Sequence, residues 1–175
     1  MLLLTLLSSL ILPSAAAPVA GGAAIDTFAN VTIHDGDGWY ARTETLANGA
    51  VLATWSNSSA VYRSTDNGYS WYPLGTVESE VEGRSLVQPH LLLLNETIGD
   101  FEKGTVVMAV NAWDNSSTNI QIYVSTDSGE SWEHASDVAT GGAPNRTNGA
   151  TPVWEPFLLV KYVSFATGFY QLADP

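Results

Sequence analysis

The chain has 175 residues, 45% of them hydrophobic, and is long enough to form a domain of ordinary size around a hydrophobic core. Its formal net charge of −12, with only six Lys and Arg residues, argues against nucleic acid as a partner, because binding to phosphates relies on those cations. Cysteine is absent, which excludes disulfide bonds. Fifteen Gly, eight Pro and many Ser, Thr and Asn residues indicate numerous turns and favour an all-β fold.

The amino-terminal residues have the pattern of a secretory signal peptide. An apolar stretch at 2–12 is too short to span a bilayer comfortably, and small residues follow it. Ser14 and Ala16 satisfy the small-x-small cleavage rule, so residues 1–16 are predicted to be removed and the protein to be secreted. A short membrane anchor is the alternative interpretation.

Five Asn-x-Ser/Thr motifs agree with export, since such motifs are acceptors for N-linked glycans in secreted proteins. A chain rich in Ser and Thr also contains some of these motifs by chance. The predicted acceptors are Asn30, Asn57, Asn95, Asn115 and Asn145.

Strand-like runs follow the signal, and no segment shows sustained helical periodicity. Asn48-Gly49 separates two such runs and predicts a tight hairpin, since both residues tolerate positive φ. Residues 40–71 and 86–132 are each predicted to form a unit of about four short strands. A third unit is predicted to begin near Val153.

The pattern Ser-x-Asp-x-Gly-x-x-Trp occurs twice, as STDNGYSW at 64–71 and as STDSGESW at 125–132. Ser and Asp can accept hydrogen bonds from backbone N–H groups within a turn, Gly supplies a positive φ, and Trp buries a large apolar face. Such a repeat is typical of a β-propeller. Because a single active site cannot use two equivalent turns, both are predicted to be structural. Their residues are Ser64, Asp66, Gly68, Trp71, Ser125, Asp127, Gly129 and Trp132.

With these motifs the chain resembles the fungal exo-arabinanases of glycoside hydrolase family 93, which are sialidase-like six-bladed propellers. In that superfamily the repeated turn is called the Asp-box. The resemblance implies a partial propeller domain at 25–160, with only the first two to three blades. It also implies that short arabinose units are released from the end of linear α-1,5-arabinan, with retention of configuration through two glutamates. It is carried by Gln88-Pro89-His90, GTVVMAVNAW at 104–113, NIQIYVSTDSGESWE at 119–133, Gly141-Gly142 and PVWEPFLLV at 152–160.

Glu155 is the candidate catalytic residue. Retaining glycosidases use two carboxyl groups about 5 Å apart, one as nucleophile and one as acid/base. Between Trp154 and Pro156, at the head of an apolar strand, Glu155 is expected in partly desolvated surroundings that suit an acid/base. The resemblance implies the same role and a second glutamate beyond Pro175. The alternative is a strand-end glutamate paired with an arginine.

Candidate substrate-binding residues are Arg42, Gln88, His90 and Trp154. Arg42 occupies a first-strand position where the sialidase superfamily often has an active-site Arg, but Thr43-Glu44 replace the usual Ile-Pro. A salt bridge with Glu44 or a solvated position is the alternative. Gln88 and His90 flank Pro89 at the start of a strand and can face the central channel, although His90 can equally be a polar strand-end residue.

Six Trp residues divide into two groups. Trp71 and Trp132 belong to the repeated turns and are predicted to pack there. Of the other four, one or two are expected to stack on a sugar ring, Trp154 first, because an aromatic face suits the apolar side of a sugar. The remaining candidates are Trp39, Trp55 and Trp113.

No metal-ligand cluster and no phosphate-binding loop are visible, so no cofactor is expected. The predicted partner is arabinan, a plant cell-wall polysaccharide, bound by a monomer. A sialidase, or a non-catalytic carbohydrate-binding propeller, is the alternative function. Sialidases use a Tyr nucleophile and an Arg triad, of which only Arg42 is suggested here.

The resemblance stops after Val160, and residues 161–175 are predicted to be a non-homologous tail, such as a translated intron. With only part of the ring and one of the two glutamates, the 175-residue chain by itself is expected to have little or no activity.

Overall fold

The computed structural model describes residues 30–58 and 60–161, and in these ranges the fold is all-β, with eight strands and no helix. The described ranges therefore contain no helix that could cross a membrane. The predicted signal peptide at 1–16 and residues 162–175 of the predicted tail lie outside the described residues.

Blade 1 is a four-stranded antiparallel sheet whose strands lie side by side in chain order. The predicted Asn48-Gly49 hairpin is confirmed. The Leu46 N–H donates to the Ala50 carbonyl at 2.8 Å, and Gly49 has a φ of 84°. The Asn48 side chain accepts a hydrogen bond from the Ala50 N–H at 3.0 Å. The strands are β1 (Trp39–Thr45), β2 (Val51–Ser56), β3 (Ala60–Ser64) and β4 (Tyr72–Thr76).

Blade 2 repeats the arrangement with longer strands, again antiparallel and in chain order. Its strands are β5 (Ser85–Leu93), β6 (Val106–Trp113), β7 (Thr118–Ser125) and β8 (Glu133–Gly141). Two four-stranded antiparallel sheets in succession are the blade architecture of a β-propeller, so the predicted fold class is confirmed. The two predicted units each ended at the Asp-box Trp, whereas each blade continues into one further strand, β4 or β8.

One cluster of buried side chains joins the two blades. Blade 1 and the residue after it contribute Leu52, Val61 and Val77, and blade 2 contributes Met108 and Val110, all of them almost inaccessible to solvent. Burying an aliphatic side chain of this size stabilises the fold by about 1.5–3 kcal/mol. The contact between blades is therefore a hydrophobic core, and it fixes the position of one blade relative to the next.

Both Asp-boxes form the predicted turns. In the first, the Gly68 N–H donates to Ser64 Oγ at 2.8 Å, and the Ser70 N–H donates to Asp66 Oδ1 at 2.8 Å. Trp71 Nε1 closes the turn by donating to the Gly68 carbonyl at 2.9 Å. The second copy has the same bonds, between Gly129 and Ser125, Ser131 and Asp127, and Trp132 and Gly129. The polar side chains of the Ser, Asp and Trp of the motif are thus used within the turn.

The first strand of the third predicted unit, which was expected near Val153, is not formed within the described residues. The 153–160 segment pairs with no described strand. A strand needs a neighbouring backbone to complete its ladder, and here side chains of blade 2 satisfy the backbone of the segment instead. Leu158 and Val160 pack against Leu94, Val107 and Val124 of blade 2, which attaches the segment to that blade.

Candidate active site

Each blade has a bulge at the start of its first strand. The register of β1 against β2 shifts between Trp39 and Arg42, and that of β5 against β6 shifts between Val87 and His90. Tyr40 and Gln88 lie in these bulges with φ values of 53° and 55°. A bulge inserts an unpaired residue and changes the direction of its side chain. Each of the two consecutive blades therefore has a bulge residue, Tyr40 or Gln88, at the equivalent position of its first strand.

Glu155 has the same backbone conformation as the two bulge residues, with φ of 54°. The other non-glycine residues with positive φ in the described ranges lie in turns, at Asn57, Asn67 and Ser128. The left-handed region is unfavourable for a residue with a side chain, by about 1–3 kcal/mol, and persists only where the surroundings impose it.

Hydrogen bonds join these three left-handed residues. The Tyr40 hydroxyl donates to Glu155 Oε1 at 2.9 Å, and the Glu155 N–H donates to Gln88 Oε1 at 2.9 Å. The Gln88 N–H in turn donates to Ser56 Oγ of blade 1 at 2.7 Å. The carboxylate and the backbone of Glu155 are therefore held by different blades.

Two buried polar side chains of blade 2 fix the chain just before Glu155. Asn111 Nδ2 donates to the Val153 carbonyl at 2.7 Å, and the Val153 N–H donates to Thr118 Oγ1 at 2.8 Å. Asn111 and Thr118 are completely buried. Buried amide and hydroxyl groups need such partners, because leaving them unpaired costs about 1–3 kcal/mol each. The path of the chain into Glu155 is consequently set by the interior of blade 2.

His90 supports the same segment on the other side of Glu155. Its Nδ1 accepts a hydrogen bond from the Leu158 N–H at 3.4 Å, and its ring lies 4.5 Å from the Phe157 ring, centroid to centroid. Burial lowers the pKa of His90, and the nearby Arg42 cation lowers it further. Both effects favour the neutral imidazole that accepts this hydrogen bond. His90 lies within β5 and contacts a neighbouring segment of the chain, which gives it a packing role.

The surroundings of Glu155 differ from the expected partly desolvated strand end. Glu155 is exposed in the described structure, and its segment is not a strand. The expected desolvation is therefore wrong for the described structure, in which the flanking Trp154 is itself 39% exposed. Hydrogen bonds, and not burial, define the position of this side chain.

Arg42 is exposed, and its Nη1 donates to the adjacent Ala41 carbonyl at 3.0 Å. The ion pairs in the described part of the chain are Arg84–Asp114 and His134–Asp137, so the alternative pairing of Arg42 with Glu44 is not formed. Instead, burial raises the pKa of Glu44, opposed by hydrogen bonds from the backbone of Leu93 and Thr45. The positively charged guanidinium of Arg42 therefore lies near His90 and is accessible to solvent.

The Trp residues considered for stacking on a sugar ring differ in their exposure to solvent. Trp55 is buried and packs against His34 and Tyr62, with ring centroids 5.5 and 5.0 Å away, so it is a packing residue. Trp39 is 64% exposed and precedes Tyr40, just as Trp154 precedes Glu155. Trp39 and Trp154 therefore occupy equivalent positions and remain available for stacking.

Sequence reasoning missed Tyr40, Asn111 and Thr118. A signal for Tyr40 was present, because the first-strand segments align as Trp-Tyr-Ala-Arg at 39–42, Val-Gln-Pro-His at 87–90 and Trp-Glu-Pro-Phe at 154–157. The alignment places Tyr40, Gln88 and Glu155 in one column. Asn111 and Thr118 gave no such signal, since their partners lie 42 and 35 residues away along the chain.

A cleft of about 460 Å³ lies elsewhere, lined by Asn57, Ser58 and residues 77–79 and 81–86, and it contains none of the site residues. Arg84 at its wall is already bound to Asp114, Ser117 and Asn119. We therefore place the candidate site at Glu155 and not in this cleft. Among the described residues no group of three His, Cys, Asp or Glu side chains is arranged to hold a metal ion.

Comparison with known proteins gave matches among solved structures. No family model matches the chain, and no curated protein matches it. The GH93 α-L-arabinofuranosidase of Fusarium graminearum, solved with arabinobiose, is 36% identical with a TM-score of 0.68. An α-L-arabinanase of Penicillium chrysogenum, also solved with arabinobiose, is 42% identical with a TM-score of 0.67.

Both matches cover 71% of this chain and 38% of the other protein. The chain thus spans less than half of the length of the proteins it matches. Together with the two bladed sheets and the family motifs, these matches confirm the resemblance inferred from the sequence. Over the matched residues, the chain has the fold of glycoside hydrolase family 93.

Proposed function

We propose that the protein is a secreted glycoside hydrolase that acts from the end of linear α-1,5-L-arabinan by a retaining mechanism, with Glu155 as acid/base. The observation that carries the proposal is that the first strands of both blades hold one glutamate, Tyr40 through the Glu155 carboxylate and Gln88 through its N–H. The two matched structures, an arabinofuranosidase and an arabinanase with arabinobiose, support the class of substrate.

In the first step, the protonated Glu155 carboxyl donates its proton to the glycosidic oxygen while the bond from that oxygen to the anomeric carbon breaks. A second glutamate, proposed to lie outside these 175 residues, attacks the anomeric carbon and forms the glycosyl-enzyme. In the second step, the Glu155 carboxylate takes a proton from water, and that water displaces the second glutamate. Two inversions give net retention.

The sugar is proposed to bind against exposed groups beside Glu155. Trp154 and Trp39 offer aromatic faces for the apolar side of an arabinose ring. Arg42 offers hydrogen-bond donors to sugar hydroxyls. Gln88 acts indirectly, because its side-chain oxygen is already bound to the Glu155 N–H.

Secretion with N-linked glycans is part of the proposal. The five acceptor residues are all exposed, as glycan attachment requires. We also retain the proposal that residues 161–175 derive from an unspliced intron. Sequencing the spliced transcript tests it, and a reading frame that ends at codon 175 with no downstream propeller exons would reject it.

The function is tested with the protein expressed from its complete spliced coding sequence and with Glu155→Gln. We expect the wild type to release arabinobiose from linear arabinan and the variant to lose about 10²–10⁴-fold in kcat/KM, the contribution typical of a general acid. An arabinobioside with a dinitrophenyl leaving group needs little protonation, so its kcat/KM should change far less. Binding of arabinan without turnover by both proteins would support a carbohydrate-binding propeller, and cleavage of sialosides a sialidase.

A further inference from the structure

Tyr40 is the first-strand residue of blade 1 whose side chain reaches the candidate acid/base. It lies 115 residues before Glu155, and its hydroxyl donates to Glu155 Oε1 at 2.9 Å. Between these elements lies the first strand of blade 2, which contributes Gln88 to the backbone of the same glutamate. Two consecutive blades thus hold Glu155, one through its carboxylate and one through its N–H.

The backbone of Tyr40 is built for this contact. Its φ of 53° is unfavourable for a bulky aromatic residue, and it occurs inside a strand, where no turn requires it. Strained conformations of this kind cluster at functional sites. With ordinary β geometry and no bulge, the ladder register of β1 would change and Tyr40 would project differently. The strained backbone conformation of Tyr40 therefore accompanies the orientation of its hydroxyl toward Glu155.

We infer that Tyr40 is a positioning residue that orients the Glu155 carboxyl group for proton transfer. This inference rests on the proposed function. A phenol hydroxyl donates one hydrogen bond, and here it occupies one oxygen of the carboxyl group. The transferable proton is then carried by the other oxygen, which presents it to the glycosidic oxygen and receives the proton of water in the second step. Tyr40 itself keeps its proton throughout.

The role differs from that of the tyrosine nucleophile of sialidases. A nucleophile must reach the anomeric carbon and is needed for every substrate. A residue that only orients the acid matters most for substrates whose leaving group must be protonated, and little for those whose leaving group departs without a proton. The two roles are therefore separated by the choice of leaving group.

The kinetic test compares Tyr40→Phe with Tyr72→Phe in the protein expressed from its complete coding sequence. Tyr72 is a matched control, since it is also a strand tyrosine that is 42% exposed, but it lies in β4 away from Glu155. We expect Tyr40→Phe to lower kcat/KM on linear arabinan by about 10–100-fold, because misplacing a catalytic group is costly. On the dinitrophenyl arabinobioside the loss should stay below about threefold, and Tyr72→Phe should match the wild type.

Two kinetic outcomes would overturn the inference. Equal activity of Tyr40→Phe and Tyr72→Phe on arabinan would show that the hydroxyl has no role. An equal loss on both substrates would indicate a nucleophile or a disturbed fold. In either case the loss of activity in Glu155→Gln would still stand, so the proposed function would survive.

A second measurement does not depend on turnover. With 13C-labelled glutamate carboxyl groups, the Glu155 signal is identified as the one missing in Glu155→Gln. We expect Tyr40→Phe to shift this signal at a fixed pH and Tyr72→Phe to leave it in place, because of these two tyrosines it is Tyr40 that donates a hydrogen bond to the carboxylate. An unmoved signal rejects the inference even if the protein proves inactive on arabinan, whereas a shift in an inactive protein rejects only the proposed function.

Discussion

The two blades are built from the same local parts, yet they differ in how deeply they are buried. Both have a bulge in the first strand and an Asp-box between the third and fourth strands. No residue of β1 is buried, whereas four of the nine residues of the equivalent strand β5 are. Blade 2 packs against blade 1 on one side and the 153–160 segment on the other. How deeply a strand is buried thus depends on which other parts of the chain pack against its blade.

The Asp-boxes show the same contrast on a smaller scale. Their internal hydrogen bonds agree within about 0.2 Å. Gly68 has only Trp71 of its own turn nearby, while Gly129 lies against Leu52 and Leu74 of blade 1. The turn is therefore a local unit, and its contribution to the contact between blades depends on its position in the ring.

The largest effect is expected where blade 2 meets the 153–160 segment. In Gly141→Ala the new methyl group would lie 2.5 Å from Val153 N and 2.6 Å from Thr118 Oγ1. Relieving this overlap requires the segment to move, so we expect the free energy of unfolding to fall by about 3 kcal/mol. Chemical denaturation measures it. Gly38→Ala is the control, because its methyl group would meet Trp55 at an ordinary 3.7 Å; similar losses in the two variants would contradict the packing described here.

A smaller effect should distinguish the two Asp-boxes. Gly68 and Gly129 both have positive φ, so alanine at either position costs about 1 kcal/mol through backbone strain. At Gly129 the methyl group would also lie 3.0 Å from Leu52 Cδ1, which should add about 1 kcal/mol of overpacking. Thermal unfolding of Gly68→Ala and Gly129→Ala side by side measures the difference. Equal melting temperatures would mean that the second turn has no special role between the blades.

The smallest expected effect is on the stability of the fold at acidic pH. Hydrogen bonds from the side chain and N–H of Ser70 lower the pKa of Asp66 from 3.8 to about 2. Burial acts in the opposite direction on Asp127, but hydrogen bonds from Ser131 outweigh it, so the pKa of Asp127 is also lowered. A carboxylate with a lowered pKa stabilises the folded state above its unfolded pKa, and this stabilisation is lost as pH falls through the folded value.

The stability difference between wild type and Asp66→Asn should therefore be constant above pH 5 and shrink as the pH falls from about 4 to 2. Denaturation at a series of pH values measures it. Asp100→Asn, at an exposed loop position, serves as control. A difference that does not change with pH would contradict the role assigned to the Asp66 carboxylate.

Much of the fold was predictable because its signals are local. Asn48-Gly49 specifies its hairpin through backbone conformation, and each Asp-box carries its own hydrogen-bond partners within eight residues. The site was predictable only in part. Glu155 was found through its resemblance to a family motif, but its exposure and its partners were not foreseen. The strand expected at Val153 failed because strand formation depends on a neighbouring backbone and not on the pattern of the segment alone.

The sequence by itself determined the all-β class, the two turns and the hairpin, and it indicated Glu155 through the family resemblance. Only the tertiary structure decided that Tyr40, Gln88 and Glu155 meet, over separations of 115 and 67 residues. The physical reason is that a bulge exists only between two paired strands, and the two bulge residues reach Glu155 only when blade 2 packs against both blade 1 and the 153–160 segment. Local chemistry specifies the parts of this site, and packing between blades specifies their contact.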